Sequence, residues 1–281
     1  MQKVTHSEYI AQKKPLAKQL LAKLNEKYQY ASVLITDNYE KGYRASRSGV
    51  AISATNAFGG KGMIVKVYDG KGYAEYSTNE ITAENLPEIE REIEQQLMNP
   101  ANFIPEGTEE AEYKCISDEP CTLCEATDYE IHPREVGDEK LIETVTALRE
   151  KAVKADERIL DAITGFNYQE YHKLFLSANR ELEQSVLYST GIMALVAAKG
   201  EEIKQSFRGF SNLGGAELLD KMESAIPQCV KTVTDLLNAE PMEPGTYECI
   251  CTPEVTGMIV HEAFGHGVEM DMFVKDRALA Q

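Results

Sequence analysis

The chain has 281 residues, enough for about two domains, and its 43% apolar content is typical of a globular protein. Its net charge of −17 argues against direct binding to nucleic acid or to an anionic membrane, because both require basic surfaces. Residues 1–24 lack the continuous apolar core of a signal peptide, and no run reaches the ~20 apolar residues of a membrane span. We therefore expect a cytoplasmic protein.

The first half of the chain predicts a helix, an antiparallel meander and a second helix. Apolar residues at helical spacing predict the helix Glu8–Tyr28, which Pro15 bends or shortens at its start. Asp37-Asn38 is interpreted as the turn that ends the first of four short β-rich segments. These segments are Tyr30–Thr36, Gly42–Ala51, Gly62–Tyr68 and Tyr73–Ser77. The helix Leu86–Met98 follows.

The second half repeats this pattern after a long connecting excursion, residues 101–137. The predicted elements are the helix Glu139–Arg158, a hairpin of Ile159–Tyr168 and Gln169–Ser177, the strands Glu183–Ala198 and Glu202–Gly209, the helix Gly214–Leu237 and the strand Thr246–Thr252. Adjacent hairpins favour an α+β fold with antiparallel sheets flanked by helices. The recurrence suggests a duplicated unit, with one copy in residues 1–137 and the other in residues 138–281.

The helix Gly214–Leu237 is predicted to pack on a sheet through one apolar face. Pro227 removes one backbone donor inside it, so we expect a kink or break just before that residue. The residues expected to be buried follow the three-and-four spacing of a helix face. They are Leu218, Leu219, Met222, Ile226, Val230 and Val233.

The six cysteines are expected to be thiols rather than disulfides in a cytoplasmic protein. Cys115, Cys121 and Cys124 fall in a predicted loop around Pro120, and the last two form a C-x-x-C pair. Two interpretations stay open for this cluster, unliganded thiols or a second metal or redox site. Cys249 and Cys251 alternate along a predicted strand and are expected to be small core residues.

The segment His261-Glu262-Ala263-Phe264-Gly265-His266 places two imidazoles around a carboxylate, which is typical of a metal-dependent hydrolase. The histidines are five residues apart, so on an ideal helix they would be separated by roughly 140°. Both could reach one ion only if the helix is locally widened or ends between them, and Gly265 and Gly267 tolerate such a departure. The alternative is a chance pair of histidines at a helix end.

The segment from Glu240 to Asp271, which contains this motif, resembles the TldD/PmbA family of metallopeptidases, also described as modulators of DNA gyrase. Ser177 to Gln184 resembles a hairpin turn of the same family, although it lacks the glycine often found there. The resemblance implies the TldD-like branch, which carries the H-E-x-x-x-H motif. It also implies that these residues form the N-terminal portion of a member whose C-terminal domain is absent and supplies a cysteine as third metal ligand.

By this resemblance we expect a zinc peptidase in which His261 and His266 bind the metal and Glu262 is the general base. Its substrates would be small or unfolded peptides, and its partner a TldE/PmbA-like subunit or a second copy. The zinc site is expected to be incomplete within these residues, the chain inactive alone, and the segment from Met270 onward mobile or packed on another molecule. The alternative is a non-catalytic assembly or binding module, or a modulator related to a gyrase–inhibitor system.

Overall fold

The computed structural model describes residues 1–54, 60–98, 114–274 and 277–278; the side chains of Phe273 and Val274 are outside the description. Two compact units are present, Met1–Ala239 and Glu240–Gln281. The first unit begins with β1 (Gln2–Lys3), α1 (Glu8–Lys27), β2 (Tyr30–Ser46), β3 (Gly49–Ala54), β4 (Lys61–Tyr68), β5 (Tyr73–Thr78) and α2 (Leu86–Met98). It continues with β6 (Cys121–Ala126), β7 (Asp128–Tyr129), α3 (Pro133–Val136), α4 (Asp138–Lys154), β8 (Ile159–Ser177), β9 (Arg180–Lys199), β10 (Glu202–Leu213) and α5 (Leu218–Asn238).

One eight-stranded sheet organises the first unit. Its strands follow the order β10-β9-β8-β2-β4-β5, and each neighbouring pair in this path is antiparallel. β3 pairs with the second half of β2, while β6 adds a parallel strand beside the start of β9. A small separate ladder joins β1 to β7. The predicted α+β class, an antiparallel sheet with flanking helices, is confirmed.

Two hydrophobic cores lie on the same face of this sheet. In β2, Val33 and Ile35 are buried in a core with α1 and α2, whereas Tyr43 is buried in a second core with α4 and α5. β8 repeats this division, because Leu174 belongs to the first core and Phe166 to the second. Alternate residues of a strand point to one face, so both helix pairs cover the same side. We refer to these as the α1/α2 core and the α4/α5 core.

Helix α5 uses the predicted face. All six residues expected to be buried belong to the α4/α5 core, and Met222 and Val233 are fully inaccessible. Pro227 lies inside a helix that continues across it, so the expected break is absent. The helix starts at Leu218; Gly214 lies outside it, since its φ of +148° is far from the helical value of about −63°.

Two predicted turns are wrong because the chain continues through them as strand. β2 runs past Asp37-Asn38 and pairs with β8 from Ser32 to Ala45. β8 likewise runs uninterrupted through the position of the predicted hairpin at Tyr168. The long neighbouring strand satisfies the backbone groups of these polar stretches, and this tertiary pairing overrides the local turn preference.

The placement of the cysteines also differs from the prediction. Cys121 and Cys124 lie in β6 rather than in a loop, since β6 completes the part of the β9 edge that β10 leaves free. Residues 246–252 do not form the predicted strand, and Cys249 and Cys251 are exposed rather than buried. Residues 101–113 of the predicted excursion lie outside the described residues.

The first compact unit extends across the boundary predicted after residue 137, because β2 and β8 are neighbours in the same sheet. Internal duplication remains a proposal. The second unit, Glu240–Gln281, contains only short helical elements in its described part: α6 (Pro253–Val260), a π-helical turn (His261–Gly265), a 3-10 turn (His266–Val268) and α7 (Met270–Val274). No helix among the described residues combines the length and apolar character that a membrane span requires.

Candidate metal centre

The second unit presents the histidines on a helix that changes its pitch at the motif. Pro253 occupies the first turn of α6, where its missing N–H costs no hydrogen bond, and the chain is α-helical to Val260. From His261 to Gly265 the helix is π-helical, and the His266 N–H donates to the His261 carbonyl, five residues back. The structure therefore has the widened turn that the five-residue spacing requires.

This turn brings the three predicted site residues together. The ligand atoms offered by His261, Glu262 and His266 all lie within 4.8 Å of one another. The two imidazole rings are 4.6 Å apart between centroids, at an interplanar angle of 70°. His266 Nε2 lies 3.8 Å from Glu262 Oε2. All three residues are exposed, so an incoming ion would not have to open a closed cavity.

A fourth residue, Glu269, contacts this group. His266 Nδ1 lies 2.9 Å from Glu269 Oε1, across the 3-10 turn that follows the motif. A carboxylate that accepts a hydrogen bond from one ring nitrogen keeps the proton on that nitrogen. The other ring nitrogen then has a free lone pair that can bind a metal. Glu269 is not among the site residues predicted from the sequence. Its spacing of three residues from His266 is the signal that could have identified it.

The donor set fits a zinc ion. Two nitrogens bound at about 2.0–2.1 Å in a tetrahedron are separated by roughly 3.3 Å, a distance that small side-chain rotations can reach from this arrangement. Imidazole is a ligand type that zinc favours, and Glu262 can either ligate or accept a proton. Among the described residues the metal-type group consists of these three side chains and includes no cysteine. Of the segment from Met270 onward, expected to be mobile or packed on another molecule, residues 275–276 and 279–281 lie outside the described part of the chain.

Two imidazoles and a carboxylate on one widened helical turn thus form a candidate metal site. No family model matches the chain. A metalloprotease of Archaeoglobus fulgidus is 32% identical over 95 residues, which cover 34% of this chain and 22% of that protein. A metalloprotease of Methanocaldococcus jannaschii is 20% identical over 259 residues, which cover 91% of this chain and 55% of that protein.

Solved structures share the fold. A protein described as a modulator of DNA gyrase from Bacteroides thetaiotaomicron matches with a TM-score of 0.64 and 16% identity, over 90% of this chain and 56% of that one. TldE from Thermococcus kodakarensis matches with a TM-score of 0.55 and 13% identity, over 78% and 47%. The chain thus has the fold of TldD/PmbA proteins, as the resemblance implied. It spans about half the length of the structures and of the longest-matching relative.

Proposed function

We propose that this chain carries the metal-binding helix of a zinc-dependent peptidase. The observation that supports the proposal is the π-helical turn, which brings His261, Glu262 and His266 within 4.8 Å of one another. π-Bulges inside α-helices are frequent at functional sites. Relatives named metalloproteases, although of low identity, support the same reaction class.

Each residue would have a separate role. His261 and His266 would hold the metal through ring nitrogens, His266 through Nε2 because its Nδ1 faces Glu269. Glu262 would accept the proton of the attacking water and later deliver it to the leaving amine. When bound, the metal would supply Lewis acidity that polarises the peptide carbonyl and lowers the pKa of water. Glu262 is exposed, so substrate and water could reach its carboxylate.

The finer assignments rest on the resemblance. We propose the TldD-like branch because the complete H-E-x-x-x-H motif is present from His261 to His266. The third ligand would be a cysteine outside the three-residue group, and the partner a TldE-like subunit or a second copy. Small or unfolded peptides in the cytoplasm would be the substrates. The similarity to TldE in fold supports a relationship to that subunit type.

The test separates metal binding from turnover. Glu262→Gln preserves the size of the side chain but removes its ability to accept a proton. We expect the variant to keep zinc and to lose peptidase activity in the complete enzyme. Glu248→Gln changes an exposed carboxylate of the same unit outside the motif and is the matched control. Peptide hydrolysis by Glu262→Gln at the wild-type rate would contradict the assignment.

A second candidate is a non-catalytic binding module. It is favoured by the small ligand set, because a catalytic zinc site usually has three protein ligands and the histidines supply two. Zinc analysis of the purified 281-residue chain discriminates between the candidates. Weakly held, substoichiometric zinc that stays weak when a TldE-like partner is added would favour this module.

A further inference from the structure

The helix-covered face of the sheet becomes polar between its two cores. Along β2 the buried residues Val33 and Ile35 give way to Asp37 and Tyr39, and β8 carries His172 and Glu170 opposite them. Asp37 pairs directly with His172, and Tyr39 pairs directly with Glu170. We call these four residues the polar floor. The helix-covered face of a central strand normally carries apolar residues, and these four polar residues depart from that pattern. Departures of this kind are expected at functional sites.

A cavity of about 970 Å³ includes the polar floor in its lining. Tyr9 from the first turn of α1, Lys61 from β4 and Arg134 from α3 also line it. Its volume is in the range of small-molecule sites, and several chain segments converge on it. All of its lining residues belong to the first compact unit.

The floor contains a buried carboxylate with unused hydrogen-bonding capacity. Glu170 is only 7% exposed. Arg134 Nε lies 2.7 Å from its Oε1, yet this oxygen has no partner in hydrogen-bond geometry. The nearest imidazole nitrogens, those of His132 and His172, are both 3.7 Å away, beyond hydrogen-bond distance. Since a carboxylate can accept about four hydrogen bonds, Glu170 retains free acceptor sites.

One further polar atom of a cavity-lining residue is buried without a partner among the described residues, the Tyr9 hydroxyl. Burial first, and the charge of Asp37 second, raise the pKa of Tyr9, so its phenol stays protonated at neutral pH. Buried polar atoms are almost always hydrogen-bonded, so an unpartnered one indicates a water, an ion or a bound group at that place. Both unpartnered atoms, Glu170 Oε1 and the Tyr9 hydroxyl oxygen, can accept a hydrogen bond, which favours a ligand with N–H donors.

The charges and rings of the lining favour a cation. Three carboxylates, those of Glu8, Asp37 and Glu170, outnumber the lysine and arginine side chains, Lys61 and Arg134, and two histidines also line the cavity. Lys61 Nζ lies 4.9 Å from the centre of the Tyr9 ring and 3.6 Å from an Asp37 oxygen. Lys61 is half-exposed, and its ammonium group lies between an aromatic face and a carboxylate. Both neighbours stabilise a cation, so this position suits an ammonium group.

We propose that this cavity binds a ligand through a primary ammonium group, which takes the place of the Lys61 ammonium between Asp37 and the Tyr9 ring. Two sources share this chemistry, the free amino terminus of a peptide and the amine end of a diamine. An anion is disfavoured by the excess of carboxylates, and a neutral amide could not replace the positive charge that Lys61 places beside Asp37.

Calorimetric or NMR titration of the 281-residue chain with three probes tests the proposal. Glycinamide carries an ammonium group, N-acetylglycinamide keeps the amide without the charge, and cadaverine represents a diamine. We expect glycinamide or cadaverine to bind and N-acetylglycinamide not to bind, with the tighter cation identifying the source. Failure of both cations would indicate a cavity filled by water and would overturn the proposal, as would equal binding of N-acetylglycinamide.

Variants separate direct contacts from structural effects. Tyr9→Phe keeps the ring and should weaken cation binding roughly fivefold, and Asp37→Asn roughly tenfold. Lys61→Gln removes the competing ammonium and should tighten binding. Glu75→Gln, which changes an exposed carboxylate paired with Lys66 on β5, should leave binding unchanged. Weaker binding in Lys61→Gln would indicate an anion site instead.

Discussion

Removal of the Glu269 carboxylate is expected to weaken zinc binding at the candidate metal centre. In the structure its Oε1 lies 2.9 Å from His266 Nδ1. This contact orients the ring and makes it a better donor at Nε2. Glu269→Ala deletes the contact, whereas Glu269→Gln keeps an amide oxygen that can still accept from Nδ1–H. The two variants should therefore differ, with alanine the weaker binder.

The magnitude follows from the exposure of the pair. Loss of an outer-shell partner of a metal-bound histidine typically costs 10–100-fold in metal affinity. The His266 and Glu269 side chains are 48% and 49% exposed, so solvent screens their interaction and competes for it. We therefore expect Glu269→Ala to lose roughly tenfold in zinc affinity, equivalent to about 1.4 kcal/mol. Glu269→Gln should lose roughly threefold.

Competition against a chromophoric chelator would measure these affinities on the purified chain. Glu248→Gln, which removes an exposed carboxylate of the same unit outside the motif, controls for the loss of negative charge. Circular dichroism would show whether the helical content is preserved in each variant. Wild-type zinc affinity in a folded Glu269→Ala protein would refute the positioning role. An equal loss in the Glu248→Gln control would show that net charge alone is responsible.

Met222 is fully buried, so Met222→Ala should lower the free energy of unfolding, measured by urea titration, by about 2–5 kcal/mol. Leu236→Ala, on the exposed side of α5, should lower it far less. Gly215→Ala should destabilise the fold by about 1–3 kcal/mol, because the added methyl group would overlap the backbone carbonyl oxygen of Ile131; a wild-type melting temperature would contradict this. Side-chain and then backbone hydrogen bonds from Arg158 lower the pKa of Asp156 to about 2, so its stabilisation should be present above its ordinary pKa and lost as pH falls towards 2. The free energies of unfolding of Asp156→Asn and the wild type should therefore differ near neutral pH and become equal in acid. A difference that does not change with pH would show that the ion pair with Arg158 is not responsible for it.

The sequence by itself determined the elements whose stabilising contacts are local. The helix Leu86–Met98 was predicted with the bounds found in the structure, and the buried face of α5 followed from its three-and-four spacing. Both succeed because residues three and four apart share a helix face whatever else they contact. The spacing of His261 and His266 similarly showed that a widened turn was needed for a shared ion, since helical pitch is a local property.

Only the tertiary structure decided the features that depend on distant partners. Asp37-Asn38 has the composition of a turn, yet β8, more than a hundred residues later, pairs with it and keeps it in a strand. Cys121 and Cys124 lie in a strand because the start of β9 offers them an unpaired edge. The polar floor could not be recognised from sequence, because its members are adjacent only across strands. Strand pairing joins residues that are distant in sequence, and local residue preferences do not encode such contacts. The sheet and its cavity are therefore determined only by the tertiary structure.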